Sequence, residues 1–153
     1  MAAHSKAAAD KLARACAETM WPDDNATNHL GFELFDVSSG CAAMRVTVRP
    51  EMANGHGICH GGFMFTLADS TFAFACNTYD QRTVAQQCAV TFLAAVPEGE
   101  TLTAHAVERN RAGRGGIYDV TVRDSSNKVV AEFRGHSRTI SGRLLDDHQH
   151  DHS

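Results

Sequence analysis

No CxxC pair occurs among the five cysteines, Cys16, Cys41, Cys59, Cys76 and Cys88, and their number is odd. Neither a disulfide framework nor a zinc ribbon fits that pattern, so the thiols are expected to be reduced, in a cytoplasmic protein. Positive charge is not in excess. The formal net charge is −4, which argues against nucleic acid as a partner. Residues 1–21 contain no apolar run of the kind that heads a secretory signal. No internal repeat and no second domain are visible, and 153 residues fit one domain with a real core. Hydrophobic residues make up 43% and charged residues 21%, the balance of a soluble globular chain.

Charge is nearly missing from residues 61–79, GGFMFTLADSTFAFACNTY, where Asp69 is the only charged side chain. The run is long enough to raise the question of a membrane span. Asp69 at its centre, with Thr66, Ser70, Thr71, Asn77 and Thr78, points instead to a helix buried inside a soluble domain. An ionised carboxylate is costly to bury unless it is paired, hydrogen-bonded or solvated. Asp69 is therefore a candidate catalytic group, with a structural carboxylate bonded to a nearby threonine as the alternative.

The loop just before this stretch reads Asn54-Gly55-His56-Gly57-Ile58-Cys59-His60, and Gly61 and Gly62 open the helix. The first turn of a helix leaves backbone N–H groups without intrahelical partners. Together with the positive end of the macrodipole they form a site for developing negative charge. Gly61 and Asp69 are eight residues apart, about 12 Å along a helix at 1.5 Å per residue. One substrate carbonyl cannot reach both on the same helix, so the spacing predicts two chains, with Asp69 of one facing Gly61 of the other.

Elsewhere the periodicity predicts a helix over 3–21 and strands over 30–37, 41–49, 82–96, 101–110, 117–124 and 128–140, separated by turns such as Ser38-Ser39-Gly40 and Pro97-Glu98-Gly99-Glu100. Short turns imply an antiparallel sheet. The expected architecture is α+β, a curved antiparallel sheet wrapped around a long central helix. Residues 1–28 are read as an N-terminal helix and linker, 29–140 as the main domain, and 141–153 as a disordered tail.

The run NGHGICHGGFMFTLADSTFAFACNT, with TVAQQCAVTFLAAVPEGETLTA, GGIYDVTVRD and VVAEFRGHSRTI, closely resembles hotdog-fold acyl-CoA thioesterases of the phenylacetate-degradation (PaaI) type. The resemblance spans roughly residues 8–140. It implies hydrolysis of a thioester between coenzyme A and an aryl-acetyl or related group. It also implies Asp69 as nucleophile or general base, Gly61 as oxyanion donor, Asn54 orienting the thioester or the water, and His60 supporting the loop. It implies a dimer or tetramer with sites across the dimer interface, coenzyme A as part of the substrate, and no other cofactor. Relatives often carry a serine or threonine on the strand after the helix; the corresponding neighbourhood here reads Gln86-Gln87.

Gly62, Ser70 and Gln86 are accordingly expected to line the substrate. Arg111 and Arg114 are expected to meet the coenzyme phosphates, with Arg109, Arg134 and Arg138 as further candidates. His56, Cys59 and His60 do not match a usual zinc spacing, so no metal is expected, and His148, His150 and His152 are read as incidental. Two other readings are a non-catalytic acyl-CoA binding module and a hydroxyacyl-thioester dehydratase with His60 as its histidine.

Overall fold

A computed structural model describes residues 2–145. Among these, a six-stranded antiparallel sheet curves around one helix. Helix α1 spans Ala2–Met20, and the one-turn helix α2 spans Asn25–His29. Strands β1 (Glu33–Ser38) and β2 (Cys41–Thr47) form a hairpin. The central helix α3 is Gly61–Cys76, followed by β3 (Thr83–Phe92), β4 (Thr101–Ala112), β5 (Gly115–Arg123) and β6 (Val129–Thr139).

Sequence periodicity locates these elements, but two features differ from expectation. Residues 25–29, of which 25–28 are expected to be linker, form α2, because Asp24 caps them: its Oδ1 accepts the Thr27 N–H at 3.1 Å. The strands flanking Pro97 also do not pair with each other. The spatial order is β1-β2-β4-β5-β6-β3. Both edges of β4 are taken by β2 and β5, so β3 crosses to β6 and becomes an edge strand.

The apolar character of α3 follows from its surroundings. Met64, Leu67, Ala68, Phe72, Phe74 and Ala75 are all buried. The Phe72 ring lies 5.5 Å from Tyr118 and 5.8 Å from Phe133. Tyr118 on β5, Gly135 on β6 and Cys88 on β3 form one row across the sheet. Gly135 lets Phe72 reach the strand backbone, since a Cβ there would stand 2.8 Å from the ring. That row sets the depth of α3 and brings Cys88 beside Asp69, one turn before Phe72.

The expectation of a disordered tail from residue 141 is corrected for 141–145. Asp80 is 6% exposed, and its carboxylate accepts from the Leu145 N–H at 2.8 Å and from Arg143 Nε at 2.8 Å, while Leu144 is buried. Residues 146–153, including His148, His150 and His152, lie outside the described residues. Burial of Asp80 opposes its ionisation, but the Leu145 amide and the Arg143 guanidinium outweigh burial and hold the carboxyl below its usual range. A depressed carboxyl stabilises the fold above the unfolded value and ceases to do so as pH falls through the folded one. The protection of the Leu145 amide against hydrogen exchange, relative to its intrinsic rate, is therefore expected to fall below about pH 4, before global unfolding, and at neutral pH in Asp80→Asn. Unchanged protection in that variant would refute the clamp.

Candidate active site

The loop before α3 is built by Asn54. Its Oδ1 accepts the N–H of His56 at 2.9 Å and of Ile58 at 3.4 Å, and its own N–H donates to the Ile58 carbonyl at 2.8 Å. His60 caps the helix: its Nδ1 accepts the Gly62 N–H at 3.1 Å. Nδ1 is thus an acceptor, which places the proton of the neutral ring on Nε2.

The cap divides the two glycines. The Gly62 N–H, on a residue expected to line the substrate, is held by His60. The Gly61 N–H has no hydrogen-bond partner among the described residues. A Cβ at Gly61 would lie 2.9 Å from Cζ of Phe92, so the ring fills the place a side chain would take. Gly61 and Asn54 share a cavity of about 400 Å³ whose apolar wall includes Ile58, Met64, Phe92 and Leu93. The helix N-terminus therefore presents one unclaimed donor beside an apolar space.

Asp69 is half-buried on α3, and Cys88 Sγ donates to its Oδ1 at 3.8 Å. Burial raises the Asp69 carboxyl above its usual range, the Cys88 contact lowers it, and the charge of Asp24 raises it again. Burial and the neighbouring carboxylate push the Cys88 thiol up to about 11, so it remains a neutral donor. Ser70 is also half-buried and hydrogen-bonds to Thr27 at 3.1 Å.

The group facing Asp69 from the strand is thus Cys88, not Gln86. The register of β3 on β6 shifts between Ala85 and Gln87, which makes Gln86 the extra residue of a bulge. Gln86 lines a separate cavity of about 240 Å³ with Asn110, Ile117 and His136. Alternation counted back from the partly buried Val90 reaches Cys88, and that signal could have found it.

The arginines divide as well. Arg109 and Arg134 both bind Asp119, at 2.8 and 2.7 Å. Arg111 packs on the Tyr79 ring, 3.5 Å from its centroid, while the Tyr79 hydroxyl donates to Glu108 at 2.9 Å. Arg114 and Arg138 are exposed. None of these arginines lines the cavity beside Gly61. Among the described residues no group of three or more His, Cys, Asp or Glu side chains is placed to hold a metal ion, and no helix is long and apolar enough to cross a membrane.

A family model described as the Thioesterase superfamily matches residues 56–131, which take in His60, Gly61 and Asp69. Acyl-coenzyme A thioesterase PaaI of Escherichia coli strain K12 is 39% identical over 128 residues, 84% of this chain and 91% of that protein. This chain belongs to the thioesterase superfamily. Its sheet and central helix are the hotdog fold of these thioester hydrolases, and its match is to the PaaI type. The structure of the E. coli PaaI protein from the phenylacetic acid degradation operon aligns with a TM-score of 0.86 at 38% identity, covering 88% of this chain and 97% of that one. A variant of the phenylacetic acid degradation protein PaaI from Thermus thermophilus aligns at 0.74 and 34%, covering 76% and 100%.

Proposed function

We propose that this thioesterase hydrolyses acyl-coenzyme A esters, with a preference for aryl-acetyl groups of the phenylacetyl or hydroxyphenylacetyl kind, at sites shared between two copies of the chain. The observation that carries this reading is Asp69, the only charged residue of α3. It is half-exposed and held against its own desolvation, and a perturbed carboxyl in such a place is a functional candidate on physical grounds. The E. coli relative's name supports coenzyme A as the carrier, and the apolar wall beside Gly61 suits an aryl group.

Two chains are needed because the unclaimed Gly61 donor and Asp69 stand about 12 Å apart along α3. Gly61 and Asn54 of one copy would complete a site with Asp69 and Ser70 of another, in a dimer or a tetramer built from dimers. The edge strand β3 supports this assembly. Val84, Phe92 and the adjoining Leu93 are 45%, 47% and 56% exposed, and native proteins seldom leave a long apolar edge open. The five cysteines are free thiols, which fits a cytoplasmic setting.

In the proposed step, Asp69 takes a proton from water and the water oxygen bonds to the acyl carbon. The carbonyl oxygen gains negative charge against the Gly61 N–H, where a preorganised donor strengthens as charge develops. The carbon–sulfur bond then breaks, and the coenzyme thiolate leaves with the proton held by Asp69. Burial favours this role, because a raised carboxyl is a stronger base. If Asp69 instead attacks directly, the thiolate is expelled and an acyl–aspartyl anhydride forms, and single turnover in ¹⁸O-water labels the Asp69 carboxylate when water then adds at the aspartyl carbon. Arg114 and Arg138 are two of the exposed cations and would meet the coenzyme phosphates, together with Arg111 on Tyr79. No step calls for a metal or resident cofactor.

The test is free-thiol release across a panel of acyl-CoA esters. The highest kcat/KM is expected for phenylacetyl-CoA or its hydroxylated forms, above acetyl-CoA and long-chain esters. Preference for long chains would overturn the acyl assignment. No release from any ester would overturn the coenzyme A assignment, and full activity in a stable monomer would overturn the shared site.

A further inference from the structure

Building on the thioesterase reading, we infer that Thr27 and Asp24, from the connector ahead of β1, are positioning residues that fix the Ser70 hydroxyl as a hydrogen-bond acceptor for the attacking water. The geometry sets the direction of every proton in this chain of contacts. The Asp24 carboxylate accepts the Thr27 N–H at 3.1 Å and the Thr27 hydroxyl proton at 2.7 Å. A threonine hydroxyl has one proton, so Thr27 has none left for Ser70. The Ser70 oxygen is 3.1 Å from the Thr27 oxygen, and the donor in that pair must therefore be Ser70. Protons run from Ser70 to Thr27 to Asp24, which leaves Ser70 only lone pairs toward its open side.

Burial keeps the order intact. Thr27 is 1% exposed, so water does not compete for its hydroxyl. Ser70 is half-exposed and follows Asp69 on α3. A water between these two side chains finds two acceptors for its two hydrogens. Asp69 removes one, Ser70 holds the other, and the remaining lone pair faces outward to the acyl carbon. A Ser70 free to rotate would offer its own proton to Asp69 and weaken the base. The chain of contacts thus acts on the chemical step and leaves substrate affinity alone. Its cost is visible, since Asp24 sets a like charge near Asp69.

Thr27→Val removes the hydroxyl with little change in shape. Its kcat for the preferred acyl-CoA is expected to fall about tenfold, with KM within about twofold, because the change acts on base and water alone. Thr27→Ser restores kcat. Ser70→Ala gives a similar loss while leaving the Asp24–Thr27 contacts in place, which separates this role from any loosening of α2. The double variant Thr27→Val/Ser70→Ala is expected to be no slower than either single one, as for residues that act as a unit. A folded Thr27→Val protein with unchanged kcat, a loss seen only in KM, or losses that multiply would each overturn the assignment. Absence of thiol release from the unaltered protein would overturn the thioesterase reading and this one with it. Undiminished release by Thr27→Val overturns this one alone.

Discussion

Asp69→Asn is expected to fold, to assemble as the parent does, and to lose about 100- to 10,000-fold in kcat, the range that general acid–base groups contribute. The amide has nearly the shape of the carboxylate and keeps an oxygen for the Cys88 thiol, so only the base is removed. Stability is expected to move the other way. Burial raises the folded value of Asp69, so ionisation at neutral pH works against the fold; a group raised in this sense stabilises only while protonated. The amide carries no charge to desolvate, and Asp69→Asn should melt no lower than the parent at pH 7 and lose any advantage in acid. A structural carboxylate would give the reverse, a lower melting temperature with turnover kept. The parent's kcat/KM is expected to decline toward acid through a value above the usual carboxylate range, since the base must be ionised to act. A flat acid limb down to that range would count against Asp69 as the base.

Local pattern carried most of the architecture, and it stopped where partners had to be chosen. The α3 helix was legible because a sixteen-residue segment without glycine after its first turn and with one charge has few other solutions. Strand positions were legible from alternation in β2, β4 and β5. The pairing of β3 with β6 was not, because turn length describes the chain near Pro97 and says nothing of β5 already occupying the next edge of β4. The same limit explains Gln86 and Cys88. One bulged residue changes which side chain faces the carboxylate, and a bulge is a property of two strands. The His60 cap was hidden for a related reason. The sequence shows a histidine before two glycines, but which glycine stays open depends on the rotamer of His60. Asp24 and Thr27 fell in a stretch read as linker, where a five-residue helix leaves no periodicity to count.

The site depends on the depth of α3, and the largest expected loss of stability lies at the residue that sets it. Gly135 has ordinary extended backbone, so alanine there is not strained in φ and ψ; the obstacle is space. Its Cβ would stand 2.8 to 2.9 Å from three atoms of the Phe72 ring. That ring is 1% exposed and lies between Tyr118 and Phe133, so it cannot swing into solvent. Overpacking of this kind costs about 1–3 kcal/mol, which for a domain of this size lowers the melting temperature by roughly 4–8 °C at the middle of that range. Phe72→Leu in the same chain removes the colliding atoms. The double variant should therefore be more stable than the sum of the single losses predicts, by about 1 kcal/mol for residues in contact. Phe72 is one turn from Asp69, and Cys88 shares a row with Gly135. If α3 yields instead of the ring, Gly135→Ala should also lower kcat, and Phe72→Leu should recover part of it. A melting temperature within a degree of the parent would show that the sheet, not the glycine, sets the depth of the helix.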